Sequence, residues 1–173
     1  MKIVILGAGR IGSSLARNLS NSNYEVCIVD ENKNKLSELE DKLDIMTVEG
    51  SASHLNTLKK SGLDEDTIVL AVTSNDEVNI VACQIAKKAF DVKKTICRFR
   101  DNSYFGKLDI FGEGVIDIPI SPEDEITTHL KELIDHPGAN QIESFANGKV
   151  KLVSVKAKKK GKLVGRELKG IKE

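Results

Sequence analysis

Hydrophobic residues along the chain fall into short continuous runs that alternate with helical stripes. The runs are Ile3–Leu6, Val26–Val29, Ile45–Val48, Ile68–Val72, Thr95–Cys97 and Val115–Ile118. They are rich in β-branched residues and do not alternate with polar ones, which is typical of strands buried on both faces of a parallel sheet. Apolar residues three or four apart lie between most runs, most clearly from Val78 to Ala89 and more weakly at Phe105, Leu108 and Phe111. This order predicts an α/β fold with a doubly wound parallel sheet.

A last helix is predicted for residues 122–135. Ser121 suits the N-cap, Pro122 suits the first helical position, and Pro137-Gly138 ends the pattern. The apolar stripe of this helix consists of Ile126, Leu130, Leu133 and Ile134. The sequence therefore predicts a first domain at residues 1–136 and the start of a second, α+β subdomain at 137–173, with a hairpin at 141–155. So short a segment buries too little surface to fold alone, and we expect it to be incomplete.

Charge and apolar content exclude several function classes. Lys and Arg number 26, and Asp and Glu also number 26, so no global basic field attracts nucleic acid or an anionic membrane surface. No run of 18 apolar residues is present, so we expect no insertion into a bilayer and a cytoplasmic location. The three cysteines are far apart in apolar runs, which predicts core thiols rather than disulfides or a metal site.

A glycine motif follows the first predicted strand and opens the first predicted helix. It consists of Gly7, Ala8, Gly9, Arg10, Ile11 and Gly12. In this context Gly7 permits a tight turn, Gly9 lets the backbone approach a pyrophosphate, and Gly12 allows close packing of helix on strand. The N–H groups at the helix start and the helix dipole bind phosphate, so the fold is predicted to be of the Rossmann type.

Asp30 ends the second predicted strand, at the distance from the glycine motif where an acidic residue accepts hydrogen bonds from ribose hydroxyls. A 2′-phosphate would be repelled there, so the sequence favours NAD(H) over NADP(H). ATP, ADP and AMP also have free ribose hydroxyls and stay open as ligands. Nearby Lys35 is interpreted as part of a solvated helix face.

No catalytic group stands out beside this nucleotide motif. The histidines His54, His129 and His136 share no motif, and no positioned acid or base follows the sheet. We therefore nominate no catalytic residue and no metal ligand, and we expect that the protein is not an enzyme.

Further segments resemble one family along residues 1–136. They are Gly50-Ser51-Ala52, Ser61-Gly62-Leu63, Leu70 to Asn79, Cys97-Arg98 and Pro122-Glu123. Together with the glycine motif they resemble the cytosolic potassium-transport regulators, the TrkA family and the RCK (KTN) domains. Many members carry Asp where this chain has Ser51.

The resemblance implies a regulator that binds NAD(H), ATP or ADP and gates a membrane potassium transporter of the Trk or Ktr type. Such proteins form homo-oligomeric rings on the inner face of the membrane, and the helix at 122–135 is expected to cross to a neighbouring subunit, at least in a dimer. The alternative from the residues alone is that this helix covers its own sheet. The rival function is the N-terminal cofactor domain of an NAD-dependent oxidoreductase.

The resemblance also assigns site residues by position. The stretch Gly7 to Ile11 would hold the phosphates and Asp30 the ribose, while Ser51 and Ala52 would line the adenine side. Thr73, Ser74, Asp76, Asn79 and Arg98 complete the candidate cofactor site. For Asp76 and Asn79 the alternative is an N-cap and a polar first helical turn, and for Arg98 it is a salt bridge with Asp101.

Overall fold

The computed structural model describes residues 1–22, 24–146, 148–157 and 164. The strands are β1 Lys2–Leu6, β2 Glu25–Asp30, β3 Met46–Glu49, β4 Ile68–Ala71, β5 Lys94–Arg98, β6 Ile118–Ile120, β7 Ala139–Phe145 and β8 Val150–Val155. The helices are α1 Arg10–Ser20, α2 Lys33–Glu40, α3 Leu55–Lys60, α4 Asp76–Phe90 and α5 Pro122–Asp135. The chain divides into two compact units between Pro122 and Glu123.

The first unit is a six-stranded sheet in the order β3-β2-β1-β4-β5-β6, and every pair of neighbouring strands is parallel. Successive side chains of a strand point to opposite faces, and both faces are covered. Val4 and Leu6 belong to the core cluster under α3 and α4, whereas Ile3 and Ile5 belong to the cluster under α1 and α2. The predicted Rossmann-type, doubly wound fold is confirmed.

The last strand of this sheet lies later than the sequence predicted. The run Val115–Ile118 was expected to form it, but β6 begins only at Ile118. Val115 is buried, yet its carbonyl accepts a hydrogen bond from Thr95 Oγ1 (2.7 Å) instead of joining the ladder. Pro119 lies within β6, which is tolerated because β6 is an edge strand and needs no N–H on its outer side.

The helix predicted around Phe105, Leu108 and Phe111 is not an α-helix. Two short 3-10 turns, at Asn102–Tyr104 and Leu108–Phe111, stand in its place. The apolar pattern reflects aromatic packing: the ring centroids of Phe99 and Tyr104 are 5.5 Å apart, and those of Tyr104 and Phe111 are 5.6 Å apart. A stripe of helical spacing therefore arose from side chains that pack on the core from a loop.

The second unit contains α5 and the antiparallel hairpin of β7 and β8. Glu132 connects them: its carboxylate accepts a hydrogen bond from Ser144 Oγ (2.7 Å) and lies 3.2 Å from Lys151 Nζ, and both contacts lower the pKa of Glu132. In the hairpin turn, Asn147 is outside the described residues. The division falls after Pro122, the first residue of α5, whereas the sequence assigned the whole helix to the first domain, so the limits 1–136 and 137–173 stay a prediction.

Within the described residues, no helix combines the length and the apolar content that a bilayer crossing requires.

Candidate nucleotide-binding site

A cavity of about 390 Å³ lies where the chain leaves the carboxyl ends of β1, β2, β3 and β4. Its lining comprises Gly7, Gly9, Val29, Asp30, Glu31, Lys35, Gly50, Ser51, Ala52, Val72, Thr73, Ser74, Asn75 and Val78. The strand order reverses between β1 and β4, and open α/β sheets bind ligands in the crevice at such a point. The topology therefore brings four loops together around one concave surface.

The three glycines of the first loop are required for different reasons. Gly7 has φ +107°, and a Cβ there would lie 3.0 Å from the backbone nitrogen of Thr73. A Cβ on Gly12 would lie 1.8 Å from the carbonyl oxygen of Gly7, so only glycine lets α1 begin this close to β1. A Cβ on Gly9 would meet no atom within 4 Å, because this residue faces the open cavity.

The first turn of α1 begins at Arg10, directly after Gly9. The first N–H groups of a helix have no intrahelical acceptor, and the positive end of the helix dipole lies there. Since Gly9 lines the cavity and has no Cβ, these N–H groups are open to an anionic ligand.

The carboxylate of Asp30 is held by the backbone of the loops that it faces. Its Oδ2 accepts a hydrogen bond from the N–H of Ala8 (2.6 Å), and its Oδ1 accepts one from the N–H of Asn32 (2.8 Å). An ionised carboxylate offers about four acceptor positions, so roughly two remain for the hydroxyls of a ligand. The two backbone bonds thus fix the orientation of the side chain at the cavity wall.

The loop after β3 forms the next part of the wall. The N–H of Gly50 donates to the carbonyl of Asp30 (3.0 Å), which fixes this loop to the end of β2. Ser51 Oγ lies 3.2 Å from Ser53 Oγ, and Ala52 is buried. Ser51 and Ala52 therefore give this part of the wall small side chains.

A buried amide supports the loop after β4. Asn79 is 0% exposed, and its Oδ1 accepts hydrogen bonds from the N–H (3.0 Å) and the Oγ1 hydroxyl (2.7 Å) of Thr73. Its Nδ2 donates to the carbonyl of Arg98 (3.0 Å), and Arg98 Nη1 donates to the carbonyl of Thr73 (3.1 Å). Asn79 and Arg98 therefore lie behind the cavity wall and hold Thr73 in place.

Asp76 occupies the first turn of α4 but does not cap it. The cap is Asn75, whose side chain accepts the N–H of Val78 (2.8 Å). Asp76 is 8% exposed and accepts the N–H groups of Arg100 and Asp101 at 2.9 Å each. It thereby anchors the segment that follows β5.

The structure thus separates the predicted site residues into groups. Those that line the cavity are Gly7, Gly9, Asp30, Gly50, Ser51, Ala52, Thr73 and Ser74. Ala8 and Arg10 line a neighbouring groove, Ile11 packs against the core under α1, and Gly12 lies against Gly7. The other lining residues were not nominated: Val29, Glu31, Lys35, Val72, Asn75 and Val78. A signal existed for Val72 and Val78, because they flank the polar stretch from Thr73 to Glu77.

Comparison with protein families places residues 3–122 on the model of the TrkA-N domain. Over 170 residues the chain is 44% identical to the Trk system potassium uptake protein TrkA of Halomonas elongata, covering 97% of this chain and 37% of that protein. The protein of the same name from Vibrio alginolyticus is 42% identical over 176 residues, covering 100% of this chain and 38% of its own length. The chain therefore spans less than two fifths of these relatives.

Solved structures show the same fold at lower identity. The TrkA-N domain of the inner membrane protein ybaL from Escherichia coli superposes with a TM-score of 0.65 at 18% identity, covering 77% of this chain and 96% of that domain. The GsuK channel bound to NAD superposes with a TM-score of 0.60 at 19% identity, covering 75% of this chain and 22% of the channel.

Proposed function

The chain belongs to the TrkA-N domain family, and from this membership we propose that it is the nucleotide-sensing part of a regulatory subunit in a potassium-uptake system. The names of its relatives support the assignment to potassium uptake. The observation that carries the sensing role is the cavity, in which the start of α1 and the carboxylate of Asp30 lie on one concave surface.

The proposed ligand is NAD(H). Gly7, Gly9 and the N–H groups at the start of α1 hold the pyrophosphate, and the remaining acceptor positions of Asp30 bind the ribose hydroxyls. Ser51 and Ala52 line the adenine side, and Thr73 and Ser74 line the far half of the ligand. A related fold, the GsuK channel, is described as bound to NAD, which supports this choice. ATP and ADP fit the same contacts up to the diphosphate and are the alternative ligands.

Three other predicted residues act through Thr73 or through the segment after β5 in this proposal. Asn79 and Arg98 fix the backbone of Thr73, and Asp76 fixes the N–H groups of Arg100 and Asp101. They are positioning residues, because the contacts just named are made to the backbone of the protein itself. If ligand binding displaces Thr73, the end of β5 would move with it, because Asn79 is hydrogen-bonded to both Thr73 and the carbonyl of Arg98.

Control of a transporter requires that the ligand bias two arrangements of a larger assembly. The proposed contact is a homodimer, or a larger ring, formed through α5. Ile126, Leu130 and Ile134 on this helix are 62%, 54% and 75% exposed, and soluble proteins rarely leave such an apolar stripe in water. The proposed partner of the assembly is a membrane potassium transporter of the Trk or Ktr type, contacted at the cytoplasmic side.

The rival function, a cofactor domain of an NAD-dependent oxidoreductase, requires an acid or base near the nicotinamide. The described residues that line the cavity include the carboxylates Asp30 and Glu31 and the amine of Lys35, but no histidine or cysteine. We propose instead a regulator without catalytic activity, because the relatives that match along almost the whole chain are named as potassium uptake proteins. Steady oxidation of NADH by small carbonyl compounds, abolished in Gly9→Val, would favour the oxidoreductase.

The regulatory role is tested by potassium uptake in cells. This chain replaces the matching segment of the Halomonas elongata relative in cells that depend on that protein for uptake. We expect uptake with the unmodified chain and reduced uptake with Gly9→Ala or Asp30→Ala, because both variants should bind the nucleotide more weakly. Lys88→Gln, an exposed change on α4 remote from the cavity lining, is the control. Equal uptake by all four chimeras would contradict the proposal.

A further inference from the structure

A second concave surface lies between α1 and α2, beside the nucleotide cavity. It is a groove of about 540 Å³, within the range of small-molecule sites. Arg10 and Arg17 line it from α1, and Lys35 lines it from α2, with Lys42 following two residues after the end of that helix. Glu38 is the one carboxylate in its described lining. Four cationic side chains therefore face a single acid in a chain whose net charge is zero.

Basic side chains outnumber acidic ones in the described lining of this groove. Within the described part of the chain, Arg10, Arg17, Lys35 and Lys42 form no ion pair. Like charges held on one surface repel one another, and a bound anion relieves that repulsion. Two arginines favour phosphate in particular, because the planar guanidinium donates two parallel hydrogen bonds to it.

The lining also limits the kind of anion. Leu39 and Ala8 supply the apolar contacts, and Ser13 adds a hydroxyl beside the cations. Side chains that can donate hydrogen bonds therefore outnumber apolar side chains in the described lining, which suits an anion with several phosphate oxygens. The groove shares Gly9 and Lys35 with the nucleotide cavity, so it also opens toward the N–H groups at the start of α1.

We propose that the groove between α1 and α2 is a second anion site that takes a polyphosphate group. Two sources of a polyphosphate group would be bound by the same side chains. One is the phosphate tail of a nucleotide in the adjoining cavity, which reaches the groove past Gly9. The other is a separate polyphosphate anion.

The first experiment measures the site without a nucleotide. Sodium tripolyphosphate is titrated calorimetrically into the chain and into Arg17→Gln/Lys42→Gln, whose two positions line the groove but not the nucleotide cavity. We expect the double variant to bind about tenfold more weakly, since it loses two charged contacts. Lys60→Gln/Lys88→Gln removes the same charge from exposed positions elsewhere and should change the affinity by less than about twofold.

Equal weakening in both double variants, or no binding to the unmodified chain, would overturn the proposal. Circular dichroism shows whether each variant is folded, and the single change Arg17→Gln gives a second, milder variant, expected to weaken binding in the same direction. The affinity of both groove variants for NADH should stay unchanged. The proposed anion site in the groove and the proposed nucleotide site in the cavity can therefore be refuted independently of each other.

The second experiment identifies the source. If tripolyphosphate still binds the chain saturated with NAD, a separate anion occupies the groove. If NAD displaces it, the tail of a nucleotide is the occupant, and Arg17→Gln/Lys42→Gln should then weaken ATP while leaving AMP unchanged. Displacement by NAD without any effect of the double variant on ATP would contradict the groove as the binding site.

Discussion

Replacing two glycines of the first loop, one at a time, separates the fold of the loop from its ligand contact. In Gly12→Ala the new methyl group would lie 1.8 Å from the carbonyl oxygen of Gly7, so the backbone of the loop must move by more than an ångström. Overpacking of this kind destabilises a fold by about 1–3 kcal/mol. Alanine has a higher helix propensity than glycine, and this difference stabilises the fold by about 1 kcal/mol. Because the new methyl group would meet backbone, which cannot move aside as a side chain can, we expect the upper end of the overpacking cost. The net loss in the free energy of unfolding should then be about 2 kcal/mol.

Gly9→Ala should behave in the opposite way. Gly9 has φ −72° and ψ −172°, a conformation open to alanine, and its Cβ would meet nothing within 4 Å. The reduced entropy of the unfolded chain adds about 0.4–1 kcal/mol of stability, and the loss of a glycine N-cap removes a similar amount. Stability should therefore change little. The methyl group would project into the cavity, where a pyrophosphate must approach the backbone, so NADH should bind at least about tenfold more weakly.

Urea unfolding followed by circular dichroism measures the two stabilities. The fluorescence of NADH measures binding, and the absence of tryptophan from the chain simplifies that signal. Gly12→Ala as stable as the unmodified chain would refute the close approach of α1 to the loop. Gly9→Ala with full affinity for NADH would refute the proposed path of the pyrophosphate.

Three further outcomes follow from individual contacts. Asn79→Leu leaves the N–H of Thr73 without its partner inside the core, so urea unfolding should show a loss of about 2–4 kcal/mol, and a loss under 1 kcal/mol would contradict the network. Burial raises the pKa of Asp117, but hydrogen bonds from Thr95 and from Lys87 (Nζ 2.9 Å away) outweigh it and lower the folded value below 3.8. The stabilisation is therefore complete above the unfolded pKa and is lost as the pH falls through the folded pKa. Asp117→Asn should cost about 1 kcal/mol at pH 7, and this cost should shrink as the pH falls through the folded pKa; a cost independent of pH would contradict this. Leu130→Glu should convert the dimer proposed through α5 to monomer in light scattering with NADH affinity intact, and a single-subunit mass for the unmodified chain would argue against the dimer.

The sequence predicted the sheet well because its strands are buried on both faces. Runs such as Ile3–Leu6 are apolar at every position, so each is easily recognised as a strand covered on both faces. The glycine motif indicates where the first helix begins. The segment from Phe99 to Ile118 was predicted less well. Its aromatic side chains reach the core from 3-10 turns, and spacing alone does not distinguish such packing from a helical stripe.

The candidate site residues also differ in how far the sequence predicts their surroundings. Asp30 and the glycines follow directly from the ends of strands, whose position the sequence predicts. The roles of Asp76 and Asn79 depend on which backbone groups face them, and those groups belong to residues about 20 to 25 positions along the chain or to the preceding loop. A polar stretch at a strand end indicates a loop near the ligand, but it does not say which side chains face the cavity and which face the protein.

We propose that the cavity selects a nucleotide with a free ribose 2′-hydroxyl through Asp30. The most direct measurement is a parallel titration of NADH and NADPH into the unmodified chain and into Asp30→Ala, read by nucleotide fluorescence. We expect the unmodified chain to bind NADH more tightly than NADPH, because the carboxylate repels the 2′-phosphate. Asp30→Ala should bind NADH more weakly and should show a smaller difference in affinity between the two nucleotides. Equal affinity of the unmodified chain for the two nucleotides, or binding of neither, would contradict it.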